Sequence, residues 1–203
     1  MVIISHILHK KHKKGIYLMA KATILTLLFL LSFVFQACSK EETSEANTIM
    51  VNKNEFVLTA LDNKQYILKK EVDGYSLEGA EGKVVIVDIF ATWCPPCRAT
   101  APHLASLRKK FPNDLVVIGV TIEEALPNQK LADFRSKYGA DYPLVNSSQN
   151  RRLVNSMATF LKLGNNFPIP IMAIYKDGKL IKHYLGLVEE EFVESDIRRA
   201  LGQ

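Results

Sequence analysis

Two cysteines stand two residues apart in the stretch VVIVDIFATWCPPCRATAP, residues 84–102. Cys94 and Cys97 follow a hydrophobic run and precede a segment with helical spacing. Thiol-disulfide exchange, half of a metal site and buried filler all fit that spacing. A cysteine at the mouth of a helix faces unpaired amide N–H groups and the positive end of the helix dipole, and both favour thiolate over thiol. At the free-thiol pKa of about 8.5 roughly 3% is ionised at pH 7, whereas a pKa near 7 gives about half. Cys94 is therefore the candidate nucleophile.

Pro95 suits the first helical position, where a missing N–H costs nothing. Cys97 is close enough to attack a mixed disulfide formed at Cys94, and its place deeper in the helix predicts that it is the less exposed of the two. A zinc site needs two further ligands, and beyond Cys38 the chain offers only His103 and His183 and no other cysteine. No metal is expected. Both histidines read as surface groups.

The elements that must hold the pair follow from the apolar pattern. KVVIVDIF and LVVIGVTI, residues 83–90 and 115–122, are continuous apolar runs suited to strands buried on both faces. Leu104, Leu107 and Phe111 lie between them at helical spacing, giving a βαβ unit with a parallel pair. A helix with Leu131, Phe134 and Tyr138, a short strand near YPLVN and a helix with Leu153, Met157, Phe160 and Leu161 come next. IMAIY, the pair Asp177–Gly178 and KLIKHYLG predict a hairpin. The last helix has Glu189, Glu190 and Glu191 in its first turn and Arg198 and Arg199 in its last, matching the helix dipole. Upstream, EFVLTAL and QYILKK, joined by DNK, predict a hairpin. The fold class is α/β: a central mixed sheet flanked by helices, with an N-terminal β-hairpin and a helix and strand inserted between the βαβ and ββα halves.

The 203-residue chain carries a formal charge of +5, but the excess is local. Lys10, Lys11, Lys13, Lys14 and Lys21 precede Cys38 with no acid among them, which leaves 21 of the 26 basic residues against 21 acids for the rest. A neutral body removes the compositional argument for nucleic-acid binding. After the lysines, ATILTLLFLLSFVFQA (22–37) is uncharged and mostly apolar, the layout of an export signal. It is shorter than the about 20 residues of a membrane span, although an uncleaved anchor remains an alternative. Met19 offers an alternative start.

FQAC resembles a bacterial lipobox, with Cys38 as the acylated residue; Phe35 and Gln36 depart from the usual leucine and small residue. The expected organisation is an export signal over 1–37, lipid attachment and a polar tether over 38–54, and a folded domain over 55–203. Export leaves Cys94 and Cys97 where disulfides persist.

VVIVDIFATWCPPCRATAP together with IPIMAIYKDG resembles the thioredoxin superfamily, and the Trp-Cys-Pro-Pro-Cys form behind an export signal is similar to its TlpA-like branch of ResA-like and DsbE-like oxidoreductases. The resemblance implies a thioredoxin-like fold and a protein-disulfide reductase, with Cys94 attacking, Cys97 resolving and no cofactor beyond the redox-active Cys94–Cys97 disulfide. It makes Pro170 the cis-proline beside the cysteines, and Ile169 the residue whose backbone pairs with an extended substrate. Trp93, Pro95 and Pro96 flank that substrate. Asp88 matches the superfamily's buried acid, a proton acceptor for Cys97.

Implied partners are disulfide-containing exported proteins or apocytochrome, a membrane electron donor, and the membrane itself through the lipid anchor. The implied setting is the periplasmic side of a bacterial membrane, with the protein a monomer. Thr100 stands where ResA-like and DsbE-like members carry glutamate, which weakens assignment to cytochrome c maturation. A disulfide-forming oxidant and a copper- or haem-handling module on the same fold are the alternatives.

Overall fold

The structure, a computed structural model, describes residues 52–164 and 166–203. The expected export signal, Cys38 and the tether as far as residue 51 lie outside the described residues. Strand β4 (Val84–Phe90) is the spine, with all seven residues buried. It lies centrally in a five-stranded sheet of order β6-β5-β4-β7-β8, formed with β5 (Leu115–Thr121), β6 (Leu144–Val145), β7 (Ile171–Lys176) and β8 (Lys179–Leu185). β4 runs parallel to β5 and antiparallel to β7, so the sheet is mixed.

Burial on both faces explains why β4 reads as an unbroken apolar run rather than an alternating one. Val84, Ile86 and Phe90 join one core with Leu104, Leu107, Leu131, Phe134, Val193 and Ile197. Those residues come from α1 (Pro95–Lys110), α2 (Asn128–Tyr138) and α4 (Glu190–Leu201). Val85, Val87 and Ile89 face the other way, into a core with Phe56, Leu58, Leu68, Leu153 and Met157. That second face is covered by α3 (Asn150–Phe160) and an N-terminal sheet.

The N-terminal sheet departs from the expected hairpin. β1 (Glu55–Thr59) and β2 (Gln65–Lys70) pair antiparallel as predicted, but β3 (Tyr75–Leu77) adds a third strand. Three residues are too few to carry a period of two, and what fixes them is burial of Tyr75 and Leu77 in the second core. Past β1, Ala60 bridges Val145 and so covers the outer edge of β6. Glu189, expected in the first turn of the last helix, is instead its N-cap. No helix of the described residues is long and apolar enough to cross a membrane.

Candidate active site

The pair sits where β4 ends and α1 begins. Cys94 is the N-cap of α1, in extended conformation, and its sulfur accepts the backbone N–H of Cys97 at 3.2 Å. Pro95 and Pro96 fill the first two helical positions and bring no N–H. The Cys94 N–H itself is taken by the Ala91 carbonyl at 3.2 Å. The sulfur thus meets one amide donor where a helix start usually offers several.

Cys94 and Cys97 are joined in a disulfide with a Cα–Cα distance of 5.3 Å. The expected difference in their exposure is absent, since each is 2% exposed. Turning inward to cap the helix and to bond Cys97 buries the Cys94 sulfur as deeply as its partner.

The segment before Cys94 is held from two sides. Thr92 donates its backbone N–H and its hydroxyl to the Glu123 carboxylate at 2.6 and 3.0 Å. Glu123 lies two residues beyond β5, and its own N–H donates to the Thr121 hydroxyl at 3.1 Å. From α1, Arg98 donates to the Thr92 carbonyl at 2.9 Å, and its guanidinium lies over the Tyr138 ring. Trp93, between these anchors, leaves its side chain 59% exposed. Sequence reasoning missed Glu123; the available signal was an acid just past the C-terminal end of a buried strand.

The Ile169–Pro170 peptide bond is cis. Pro170 is buried, and the Ile169 carbonyl oxygen lies 3.7 Å from the Cys94 sulfur, so the loop before β7 closes over the disulfide. Pro168, the other proline of that loop, is exposed.

Asp88 lies on the same face of β4 as Ile86 and Phe90, the face on which both cysteines pack. It is 2% exposed; one carboxylate oxygen has no partner and the other is 3.4 Å from the Tyr142 hydroxyl. Burial pushes its pKa up to about 7, and the Tyr142 hydroxyl opposes the rise. A carboxyl in this setting changes charge near neutral pH and can take up or release a proton there. Thr100 is fully buried, with its hydroxyl on the Pro96 carbonyl at 3.0 Å. His103 and His183 are half-buried. Among the described residues, no group of three or more His, Cys, Asp or Glu is placed to hold a metal ion.

The sequence model of the Redoxin family matches residues 55–201. The thioredoxin-like protein YneN of Bacillus subtilis (strain 168) is 34% identical over 71 residues, a stretch that spans 34% of this chain and only 42% of that relative. The thiol-disulfide oxidoreductase ResA of Halalkalibacterium halodurans is 26% identical over 129 residues, covering 62% of this chain and 68% of the relative. Among solved structures, the exposed lipoprotein thioredoxin of Streptococcus pneumoniae strain TIGR4 superposes with a TM-score of 0.52 at 26% identity, covering 71% of this chain and 98% of the other.

Proposed function

This chain belongs to the Redoxin family and is a thiol-disulfide oxidoreductase, and from that premise we propose that it is exported, tethered to a membrane by its N-terminal segment, and reduces disulfides in exported proteins through Cys94 and Cys97. The observation that carries the reading is the placement of the pair: the Cys94 sulfur caps α1 and Cys97 lies one helical turn behind it.

In the reduced protein the Cys94 thiolate attacks one sulfur of a substrate disulfide, and the other substrate sulfur leaves and takes a proton. Cys97 then gives its proton to Asp88 and attacks Cys94. The dithiol becomes the disulfide, two electrons pass to the substrate, and a membrane electron donor restores the dithiol. Exposed Trp93, directly before Cys94 in the chain, offers apolar surface beside the reacting sulfur for an extended protein segment.

The reducing direction is drawn from the likeness to ResA-type oxidoreductases, and the helix start is in keeping with it. A strong oxidant needs a strongly stabilised thiolate, and with prolines at both positions after Cys94 the sulfur has a single amide for that purpose. This favours the reductant. The tether is supported by the basic and apolar segment ahead of Cys38 and by likeness to a protein described as an exposed lipoprotein. Oxidised apocytochrome is one substrate of the right chemistry, although Thr100 replaces the glutamate expected of that specialisation.

The test is to present a model protein disulfide to the reduced Cys94→Ser and Cys97→Ser variants. Cys97→Ser should accumulate a mixed disulfide through Cys94, and Cys94→Ser should trap nothing and turn over nothing. Turnover retained without Cys94 contradicts the reading.

A further inference from the structure

Tyr142 lies in the connection between α2 and β6, is 3% exposed, and sends its hydroxyl to Asp88, 54 residues earlier in the chain. Its backbone is pinned on both sides. Arg108 of α1 donates to the Asp141 carbonyl at 2.7 Å, and Arg135 of α2 donates to the Tyr142 carbonyl at 3.1 Å.

The ring has a path made for it. In the parallel pairing of β4 and β5, Gly119 stands directly opposite Asp88. A Cβ at that glycine would sit 2.7 Å from Leu144 Cδ2, 3.0 Å from Tyr142 Cε2 and 3.2 Å from Phe90 Cε1. The missing side chain leaves the notch in which the tyrosine ring lies against β5 on its way to β4.

We propose that Tyr142 is a positioning residue for the resolving step: its hydroxyl, brought past Gly119, holds the Asp88 carboxylate as the base that takes the Cys97 proton. The proposal rests on the reading of Asp88 as that base. In the step the Cys97 S–H proton passes to Asp88 and the sulfur's electron pair forms the bond to Cys94. The bond from Cys94 to the substrate sulfur breaks, and the substrate leaves as a thiolate that is protonated from solvent.

The surroundings leave this task to the hydroxyl. Met172 of β7 and Val193 and Ile197 of α4, which pack on the same face, are apolar. The ionisable groups there are Cys94 at the start of α1, Cys97 within it, Tyr142 itself, the partly buried Tyr138 of α2, whose ring carries the Arg98 guanidinium, and the partly buried Tyr184 of β8, whose hydroxyl is held by Asp196; Arg135 is engaged by the Tyr142 carbonyl. Burial favours the neutral acid and Tyr142 opposes it. The 3.4 Å separation is longer than the about 2.5–3.0 Å of a good O–H···O bond, and an ionised carboxylate draws such a donor closer.

The experiment is the rate of mixed-disulfide resolution against pH, measured on the full chain for the wild type, Tyr142→Phe and Asp88→Asn. Phenylalanine removes one oxygen and keeps the ring. Without the hydroxyl the acid holds its proton to higher pH, so the midpoint of the profile should rise by about one pH unit and the rate at pH 6 should fall about tenfold, with the rate at pH 9 little changed. Asp88→Asn should remove the inflection.

An unmoved midpoint in Tyr142→Phe, with the inflection lost in Asp88→Asn, overturns the role of Tyr142 alone. An inflection that survives Asp88→Asn overturns the role of Asp88 as base, and this proposal with it. A purely structural tyrosine would lower the unfolding midpoint and leave the pH profile in place. If Tyr142→Phe does not fold, a carbon-13 titration of the Asp88 carboxyl in reduced Gly119→Ala, which displaces the ring, should rise in the same direction, and no rise there counts against the proposal.

Discussion

At the scale of single residues, Asp88 is an acid kept where its charge is least welcome, and its cost is readable as stability. An ordinary aspartate loses its proton near pH 4, whereas burial holds this one to about 7. Between those values the folded chain binds a proton that the unfolded chain has lost, so folding is progressively disfavoured as pH rises through the window. The favourable contribution is complete below about pH 4 and lost above about 7, a change on the order of 4 kcal/mol for a shift of about three units. Asp88→Asn should therefore match the wild type in urea unfolding near pH 4 and exceed it increasingly up to pH 8. A gap that does not change with pH would count against the raised pKa. The cysteine pair was legible from its spacing and the burial of Asp88 from its place inside an apolar run, whereas the part given to Pro170 came from the resemblance to the thioredoxin superfamily, the apolar strand after it only fixing which proline was meant. Glu123 and Tyr142 were not legible, because they reach Thr92 and Asp88 across 31 and 54 residues and only the folded sheet brings them there.

At the scale of elements, the start of α1 is set by what β4 and β5 deliver to it. The Glu123 carboxylate takes two donors from Thr92 and fixes the segment that aims Cys94. Glu123→Ala leaves both donors without that partner and should cost about 1–3 kcal/mol in denaturant unfolding, the usual range for bonds to a charged group. An unchanged unfolding midpoint would show that the clamp is slack. Gly119→Ala forces a methyl into a core where Leu144, Tyr142 and Phe90 already touch, and should cost about 1–3 kcal/mol. The long apolar runs and helical stripes of the sequence located nearly every strand and helix, because periodicity reports burial. Its ends were less legible: Phe111 and Leu161 continue the apolar pattern but stand at helix C-caps, since a side chain can pack into a core after its backbone has left the helix. β3 was invisible for the opposite reason, being held by contacts with distant residues rather than by any period of its own.

For the whole molecule, the proposed division is between an N-terminal segment that carries the net charge and a neutral domain that carries the chemistry. Two or more acyl chains at Cys38 would hold the protein firmly on a bilayer, whereas one chain would not. Cys38→Ala should move the protein from the membrane fraction to the soluble exported fraction without changing the activity of the domain. Retention on the membrane would mean that residues 22–37 stay as the anchor. The central claim, that the pair is a reducing dithiol, is tested most directly by the reduction potential of Cys94 and Cys97, measured by equilibrating the protein against thiol redox buffers. With a single amide donor at the Cys94 sulfur, the potential should fall toward the thioredoxin value of about −270 mV. A value near about −120 mV, that of a strong disulfide-forming oxidant, would contradict the account.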